Sequence, residues 1–368
     1  MTGSRNHRTV AGADIIDRLT LIVPGDPDQP TGGYRYDARV AAELRRLGLE
    51  VEVIGLAGRF PDADEQARTA LDMALCALPD GHVTVIDGLA LGGLPEVASR
   101  HAERLRLVAL VHHPLADETG MAPELHQRFL TSEAEALAAC RRIVTTSEFT
   151  ARRLADLGVH CDRIRVVPPG VDPATPRKPG DSAIQRLLCV GSLVPRKGQD
   201  LLVDALAGLE GLPWRLKLVG DPERDPGFSE TLRSSIDRHG LGDRIELSGV
   251  QDPDALDVSY RNADLLVVPS HYEGYGMVVT EALARALPMI ATIGGALIDT
   301  VPQAAALRVP AGDTGALAEA LRRWFSDPEL RAEKRAGAEK IRCSLAGWTT
   351  TGRRFADALS LDFEPPVT

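Results

Sequence analysis

Two textures alternate along the chain. Short runs of aliphatic and β-branched residues, apolar at successive positions, are separated by stretches in which Ala, Leu and Arg recur at helical spacing. Continuous apolar runs suit strands covered on both faces, and their alternation with amphipathic helices predicts βαβ units on a parallel sheet. The strand candidates fall into two series. The first comprises residues 19–25 (LTLIVPG), 51–56, 83–89, 106–113, 142–147 and 164–170; the second comprises 186–191, 215–220, 244–249, 264–270, 289–292 and 307–310. Between them, 168–181 (PPGVDPATPRKPGD) is rich in Pro, Gly and charge, has little to bury, and reads as a linker. From Ala316 to about Leu361 the period is helical, with breaks at Asp327-Pro328 and Gly347. The pattern predicts an α/β chain of two doubly wound domains, residues 1–175 and 176–347, with a terminal helix of about 348–368 packing back on the first.

Composition narrows the function classes. At 368 residues, with 44% hydrophobic and 26% charged residues, this is an ordinary folded chain long enough for two cores with a cleft between them. The formal net charge of −10 disfavours a nucleic-acid polymer as partner, because a phosphate-binding surface needs excess base. No apolar run nears the ~18 residues of a membrane span, so no stable membrane insertion and a cytoplasmic location are expected. The basic pairs Arg141-Arg142 and Arg152-Arg153 are interleaved with acids and read as solvated helix faces. Cys76, Cys140, Cys161, Cys189 and Cys343 lack paired spacing, which predicts small buried thiols rather than disulfides or a zinc site.

In doubly wound sheets, ligands bind outside the carboxyl ends of the strands, so the residues that follow each run are the candidates. Gly32-Gly33 follow the first strand, Asp87 lies at the end of the third, and His112 and His113 end the fourth. Successive residues leaving a strand point opposite ways, so one histidine faces the site and the pattern does not say which. In the second series, Gly191-Ser192, Arg196 and Lys197 follow the first strand, Gly220 the second, and Gly249-Val250 the third. The stretch EGYGMVVTE, 273–281, follows the fourth. Its spacing puts Glu273 in a loop and Glu281 inside a helix, with Gly274 and Gly276 leaving the first helix amides open. Such a helix start favours anions, whereas carboxylates accept from hydroxyls, so the pair suits hydroxyls flanking a diphosphate: a sugar nucleotide. Asp62/Asp64 and Asp252/Asp254 lie in polar, turn-like segments and read as surface acids rather than metal ligands.

On these residues the chain resembles the GT-B glycosyltransferases of the large retaining family four, whose mark is an E-x7-E element. SHYEGYGMVVTEALARALP carries it as Glu273 and Glu281, with Tyr275 where the family usually has Phe. The resemblance implies two Rossmann-like domains facing each other across a cleft. It implies that Glu273 contacts donor-sugar hydroxyls and Glu281 the ribose, while the loop Gly274-Tyr275 and the amides of Gly276, Met277 and Val278 hold sugar and phosphate. Lys197 matches the family's diphosphate-binding Lys. The family Arg that directly follows the strand glycine is Ser192 here, so either Arg196 supplies that charge or the diphosphate is held with one cation fewer. Gly32-Gly33 match the loop approaching the donor phosphate, and Gly191, Gly220, Gly249 and Val250 fall on the donor side. His112 best matches the acceptor-side histidine, with His113, Glu118 and Asp87 as further candidates.

The implied reaction moves a sugar from a nucleotide diphosphate sugar, UDP or GDP, to the hydroxyl of a soluble small molecule with retention. The departing phosphate takes the acceptor's proton, His112, Glu273, Lys197 and Arg196 form the catalytic set, and neither metal nor other cofactor is expected. The expected state is monomer or homodimer. The alternatives are a nucleotide-sugar epimerase or phosphorylase on the same fold, and a non-catalytic sugar-nucleotide binder.

Overall fold

The computed structural model describes residues 16–29, 31–177 and 184–360. Every apolar run becomes a strand, and the central strands are covered on both faces. The first sheet holds β1 (Arg18–Pro24), β2 (Glu50–Leu56), β3 (Val83–Asp87), β4 (Arg106–Val111), β5 (Arg142–Thr145) and β6 (Ile164–Val166). The second holds β7 (Gln185–Val190), β8 (Trp214–Val219), β9 (Ile245–Leu247), β10 (Leu265–Val268), β11 (Met289–Thr292) and β12 (Ala306–Val309). Alternation along each strand divides the side chains between two core layers. Leu187 and Cys189 of β7 join Leu216, Trp214 and Trp324 on one face, while Leu188 joins Leu266, Met289 and Leu283 on the other. In the first sheet, Ile22, Ile86 and Ala109 face one layer and Leu21, Val85 and Leu110 the other. Burying each such Leu or Ile contributes roughly 2 kcal/mol.

The strand orders are β2-β1-β3-β4-β5-β6 and β12-β11-β10-β7-β8-β9, with parallel pairing throughout. The winding reverses between β1 and β3 in one sheet and between β7 and β10 in the other, and at such points adjacent loops part to leave a crevice. The loops singled out from the sequence sit there. Some runs end earlier than the apolar pattern suggests. The run at 83–89 stops at Asp87, whose carboxylate accepts from the Leu89 amide at 2.7 Å and begins the helix Gly88–Leu91. The run at 106–113 stops at Val111, leaving both histidines in the loop.

Three helices follow β12, Thr314–Ser326, Pro328–Arg342 and Trp348–Ser360, separated at Asp327 and near Gly347 as the sequence predicts. The last lies on Gly32–Arg46 in the first domain, where Trp348, Phe355 and Leu359 share a core with Tyr36, Val40 and Leu44. Gly352 permits this approach, because a Cβ there would overlap the side chain of Glu43. Arg177 in the connecting segment is buried against Asp264, just before β10. Residues 178–181 of the expected linker and 361–368 of the expected terminal helix lie outside the described residues.

Two surface expectations are corrected. Cys140 and Cys189 are buried thiols, but Cys76, Cys161 and Cys343 are exposed, because they fall at or beside helix ends where the chain turns outward. Arg142 is buried at the start of β5 rather than solvated on a helix. The acid pairs carry structural roles: Asp64 and Asp252 cap helices by accepting from Ala67 and Ala255 amides, both at 2.8 Å. Among the described residues, no helix is long and apolar enough to cross a membrane.

Candidate active site

The second domain's half is built on two touching loops. Gly276 adopts φ +85°, a left-handed conformation that favours glycine, and caps the helix Met277–Ala284. No side chain caps that helix start, so its first amides stay open toward the cleft. Glu273 is buried in the preceding loop, its carbonyl accepting from the Ala296 amide at 2.7 Å. Its Oε1 accepts from Lys197 Nζ at 2.6 Å and from Ser270 Oγ at 2.8 Å, and Arg196 lies 3.6 Å from Oε2. Burial alone would raise this carboxyl's pKa, but Lys197 and then Arg196 outweigh it and hold the group below its ordinary value. Glu273 is therefore an ionised, preset acceptor.

Lys197 reaches Glu273 because Gly198, at φ +65°, folds the loop after β7 onto that after β10; a Cβ at Gly198 would overlap the carbonyl of Pro269. The Arg196 carbonyl accepts from the His271 amide at 2.8 Å. Gln199 donates to the carbonyls of Gly191 and Ser192, at 3.3 and 3.0 Å. Gly220 lies against the Gly191 carbonyl too closely for any side chain, and its amide donates to the Gly249 carbonyl at 2.9 Å. The glycines at the ends of β7, β8 and β9 thus form one flat backbone surface, with Val250 exposed beside it. Tyr275 is half-buried, which pushes its hydroxyl up to about 12, and its carbonyl accepts from Thr300.

Glu281 lies one turn into the helix. Its Oε2 accepts from the Tyr260 hydroxyl at 2.8 Å and its Oε1 from Arg35 of the first domain at 3.0 Å. A Cβ at Gly32 would sit 3.8 Å from Met277 Sδ, so the first turns of helices Gly32–Arg46 and Met277–Ala284 face each other. Gly274 meets the carbonyl of His112 so closely that a Cβ there would overlap it. Thr150 Oγ1 lies 3.4 Å from the His112 carbonyl and 3.5 Å from that of Gly274.

The first domain's half is acidic. His112 Nε2 donates to Asp37 Oδ1 at 3.1 Å and lies 3.5 Å from Asp87 Oδ2; both carboxylates are buried. Burial opposes the imidazolium, but Asp37 and Asp87 together outweigh it and raise the histidine's pKa. The ring is wedged between Gly33, whose Cβ would approach to 3.3 Å, and the edge of Tyr36, 5.5 Å between centroids. His113 takes the other direction, toward Glu118 at 3.5 Å and Tyr272. Glu118 also meets Arg196 Nε at 3.1 Å. Burial works to raise its carboxyl, and His113 and Arg196 override that to lower it to about 2. Asp117 accepts from the Tyr272 hydroxyl and from Arg153, both at 2.9 Å.

The structure thus gathers Glu273, Lys197, Arg196 and Ser192 at one wall, and His112, Asp87 and Gly33 at the other. His113 and Glu118 form the bridge to Arg196. Sequence reading passed over Asp37, Arg35, Tyr260, Asp117 and Tyr272. Asp37 carried a signal, one helical turn after Gly33 and on its face; Tyr260 and Asp117 carried none, since tertiary packing alone brings them in.

Among the described residues, two clusters offer ligand-type atoms within 4.8 Å of one another, Asp37/Asp87/His112 and Asp72/Cys76/His101. In the first, the imidazole nitrogen is taken up by Asp37. In the second, Arg100 occupies Asp72 at 2.7 Å and Arg104 faces His101 at 3.2 Å, and those guanidiniums would repel a cation.

Comparison with known proteins agrees with this layout. The family described as Glycosyltransferase Family 4 matches residues 85–175, and Glycosyl transferases group 1 matches residues 177–341. Similar proteins include D-inositol 3-phosphate glycosyltransferases of Acidothermus cellulolyticus, 37% identical over 90% of this chain and 88% of that protein, and of Frankia alni, 32% identical over 90% and 94%. Sucrose-phosphate synthase of Thermosynechococcus elongatus superposes with a TM-score of 0.76 at 22% identity, over 93% of this chain and 98% of that one. The Anabaena protein Alr3699/HepE in complex with UDP and glucose does so with a TM-score of 0.72 at 18% identity, over 93% and 99%.

Proposed function

The chain belongs to the glycosyltransferases of group 1 and family 4, with the GT-B fold, and from that premise we propose that it moves a sugar from a nucleoside diphosphate to an acceptor hydroxyl with retention of anomeric configuration. The observation that carries this reading is the Lys197–Glu273 pair beside the open start of helix Met277–Ala284, with Glu281 one turn further in. A diphosphate against those amides has Glu273 on the sugar side and Glu281 on the ribose side. UDP or GDP is the carrier.

As the glycosidic bond breaks, negative charge grows on the diphosphate, where Lys197 and the helix amides already point. Departing phosphate oxygen takes the acceptor's proton as the hydroxyl attacks from the same face. No side chain acts as nucleophile: Glu273 is fixed by Lys197 and Ser270 and serves as a hydroxyl reader. We assign charge neutralisation to the protein cations beside the helix start, Lys197 and Arg35, rather than to a metal. His112, an imidazolium between two carboxylates, holds the acceptor wall. The first domain binds acceptor, the second binds donor, and the setting is the cytoplasm.

Ser192 leaves the diphosphate without the cation the family carries there. Arg196 is turned to Glu118 and to the Tyr272 carbonyl, at 2.8 Å. Arg35 is better placed: ribose hydroxyls taking Glu281 release its guanidinium between the two facing helix starts.

The test is incubation with UDP-, GDP- and ADP-sugars and a panel of polyols, with the product's anomeric configuration read by NMR. The expected product keeps the donor's configuration, and Glu273→Ala folds normally but transfers nothing. A folded Glu273→Ala enzyme with near-normal turnover overturns the reading.

A further inference from the structure

The first domain's wall carries four acids, Asp37, Asp87, Asp117 and Glu118, and the cations that contact them among the described residues are shared with other acids or enclosed by them. His112 lies between Asp37 and Asp87, Arg153 between Asp117 and Asp156, and Arg196 between Glu118 and Glu273. His113 leans on Glu118. Lys197 belongs to Glu273. Asp37 is only 3% exposed, and its second oxygen, Oδ2, is buried with no hydrogen-bond partner.

A carboxylate oxygen can only accept, so what completes this wall must donate. Hydroxyl groups do so. A phosphate group brings acceptor oxygens and negative charge to a face whose cations are engaged, beside the second charge of the donor's diphosphate.

We propose that the acceptor is an uncharged polyol, selected by the Asp37–His112–Asp87 wall, and that phosphorylated acceptors are rejected. This rests on the glycosyl-transfer reading and narrows it. It also separates this chain from its relatives named for D-inositol 3-phosphate, whose acceptor carries the group this wall excludes. Asp37 acts as a positioning residue, fixing His112 through Oδ1.

The test uses matched acceptors with and without phosphate: inositol and inositol 3-phosphate, glycerol and glycerol 3-phosphate, glucose and glucose 6-phosphate. Initial rates are measured with the sugar nucleotide that raises the melting temperature most. The expected result is a kcat/KM at least ten times higher for the unphosphorylated member, and an Asp37→Asn variant that raises the polyol KM several-fold while UDP affinity stays unchanged. A phosphorylated member that is preferred overturns the inference, as does turnover of neither member of any pair by a protein that binds UDP. UDP affinity keeps the two readings apart: no binding of any nucleotide sinks the glycosyl-transfer proposal, whereas phosphate preference with intact UDP binding sinks only the acceptor class.

Discussion

The two walls of the cleft are made of opposite materials. The second domain offers open amides, three strand-end glycines and Lys197, groups that suit an anion with hydroxyls on either side. The first offers buried carboxylates around one imidazole, groups that suit hydroxyl donors. Negative charge that develops during transfer thus meets the second domain's groups first, with Arg35 the first-domain cation that reaches across to Glu281. The difference matters only while the walls touch, and they touch where Gly274 lies on the His112 carbonyl.

The largest effect follows from breaking that contact. Gly274 has an ordinary backbone conformation, so alanine is tolerated by its own domain, but the added Cβ overlaps the His112 carbonyl across the cleft. Gly274→Ala is expected to lower kcat by about a hundredfold, the scale of a 1 Å misplacement. UDP affinity, set chiefly by the second wall, is expected to stay within about twofold by calorimetry. A variant with normal kcat shows that closure at this point is not required.

A smaller effect tests whether the first wall lends charge to the second. Arg35→Ala removes the guanidinium that reaches Glu281. If it moves onto the diphosphate when ribose takes Glu281, UDP affinity falls by roughly fivefold, the scale of a single exposed charge contact, about 1 kcal/mol. Unchanged or tighter binding leaves Arg196 as the one replacement for the missing strand-end arginine.

A further effect, read in stability rather than in turnover, concerns what the acidic wall costs the fold. Glu133 is buried behind it, Oε2 accepting from the Leu115 amide at 2.9 Å while Oε1 has no partner. Burial first, then Asp117, push its carboxyl up to about 8, against the backbone bond. The folded chain keeps that proton where the unfolded chain, with a pKa of about 4.3, has lost it. Stability from this group is therefore present below about pH 4 and declines as pH rises through about 8. Glu133→Gln should flatten the fall in melting temperature between pH 5 and pH 9, the variant gaining on the wild type toward pH 9. Parallel melting curves would show that Glu133 is ionised in the folded chain.

The second domain's wall was legible in the sequence because it is local. Glu273, Gly274, Gly276 and Glu281 lie within nine residues, and the strand before them is recognisable as an apolar run. The twelve strands were legible for the same reason, since burial on both faces leaves a continuous apolar signature. The first domain's wall was legible only in pieces. Asp37, Asp87 and His112 come from the ends of three segments that the β1-β3-β4 order brings together, and no spacing in the chain encodes that order. Arg35 carried no signal in the sequence, because its partner, Glu281, lies on the far wall. Arg142 and the exposed cysteines were misjudged because composition does not tell a strand's first residue or a helix's outer end from its neighbours.

The reading rests on the open helix start with Lys197 and Glu273 binding a nucleoside diphosphate. Calorimetric titration of UDP and GDP into the wild type and Lys197→Ala measures this. Saturable binding of at least one nucleotide by the wild type is expected, weakened tenfold or more in the variant while its melting curve remains cooperative. Equal affinity in the two proteins, or no binding of either nucleotide to the wild type, would contradict it.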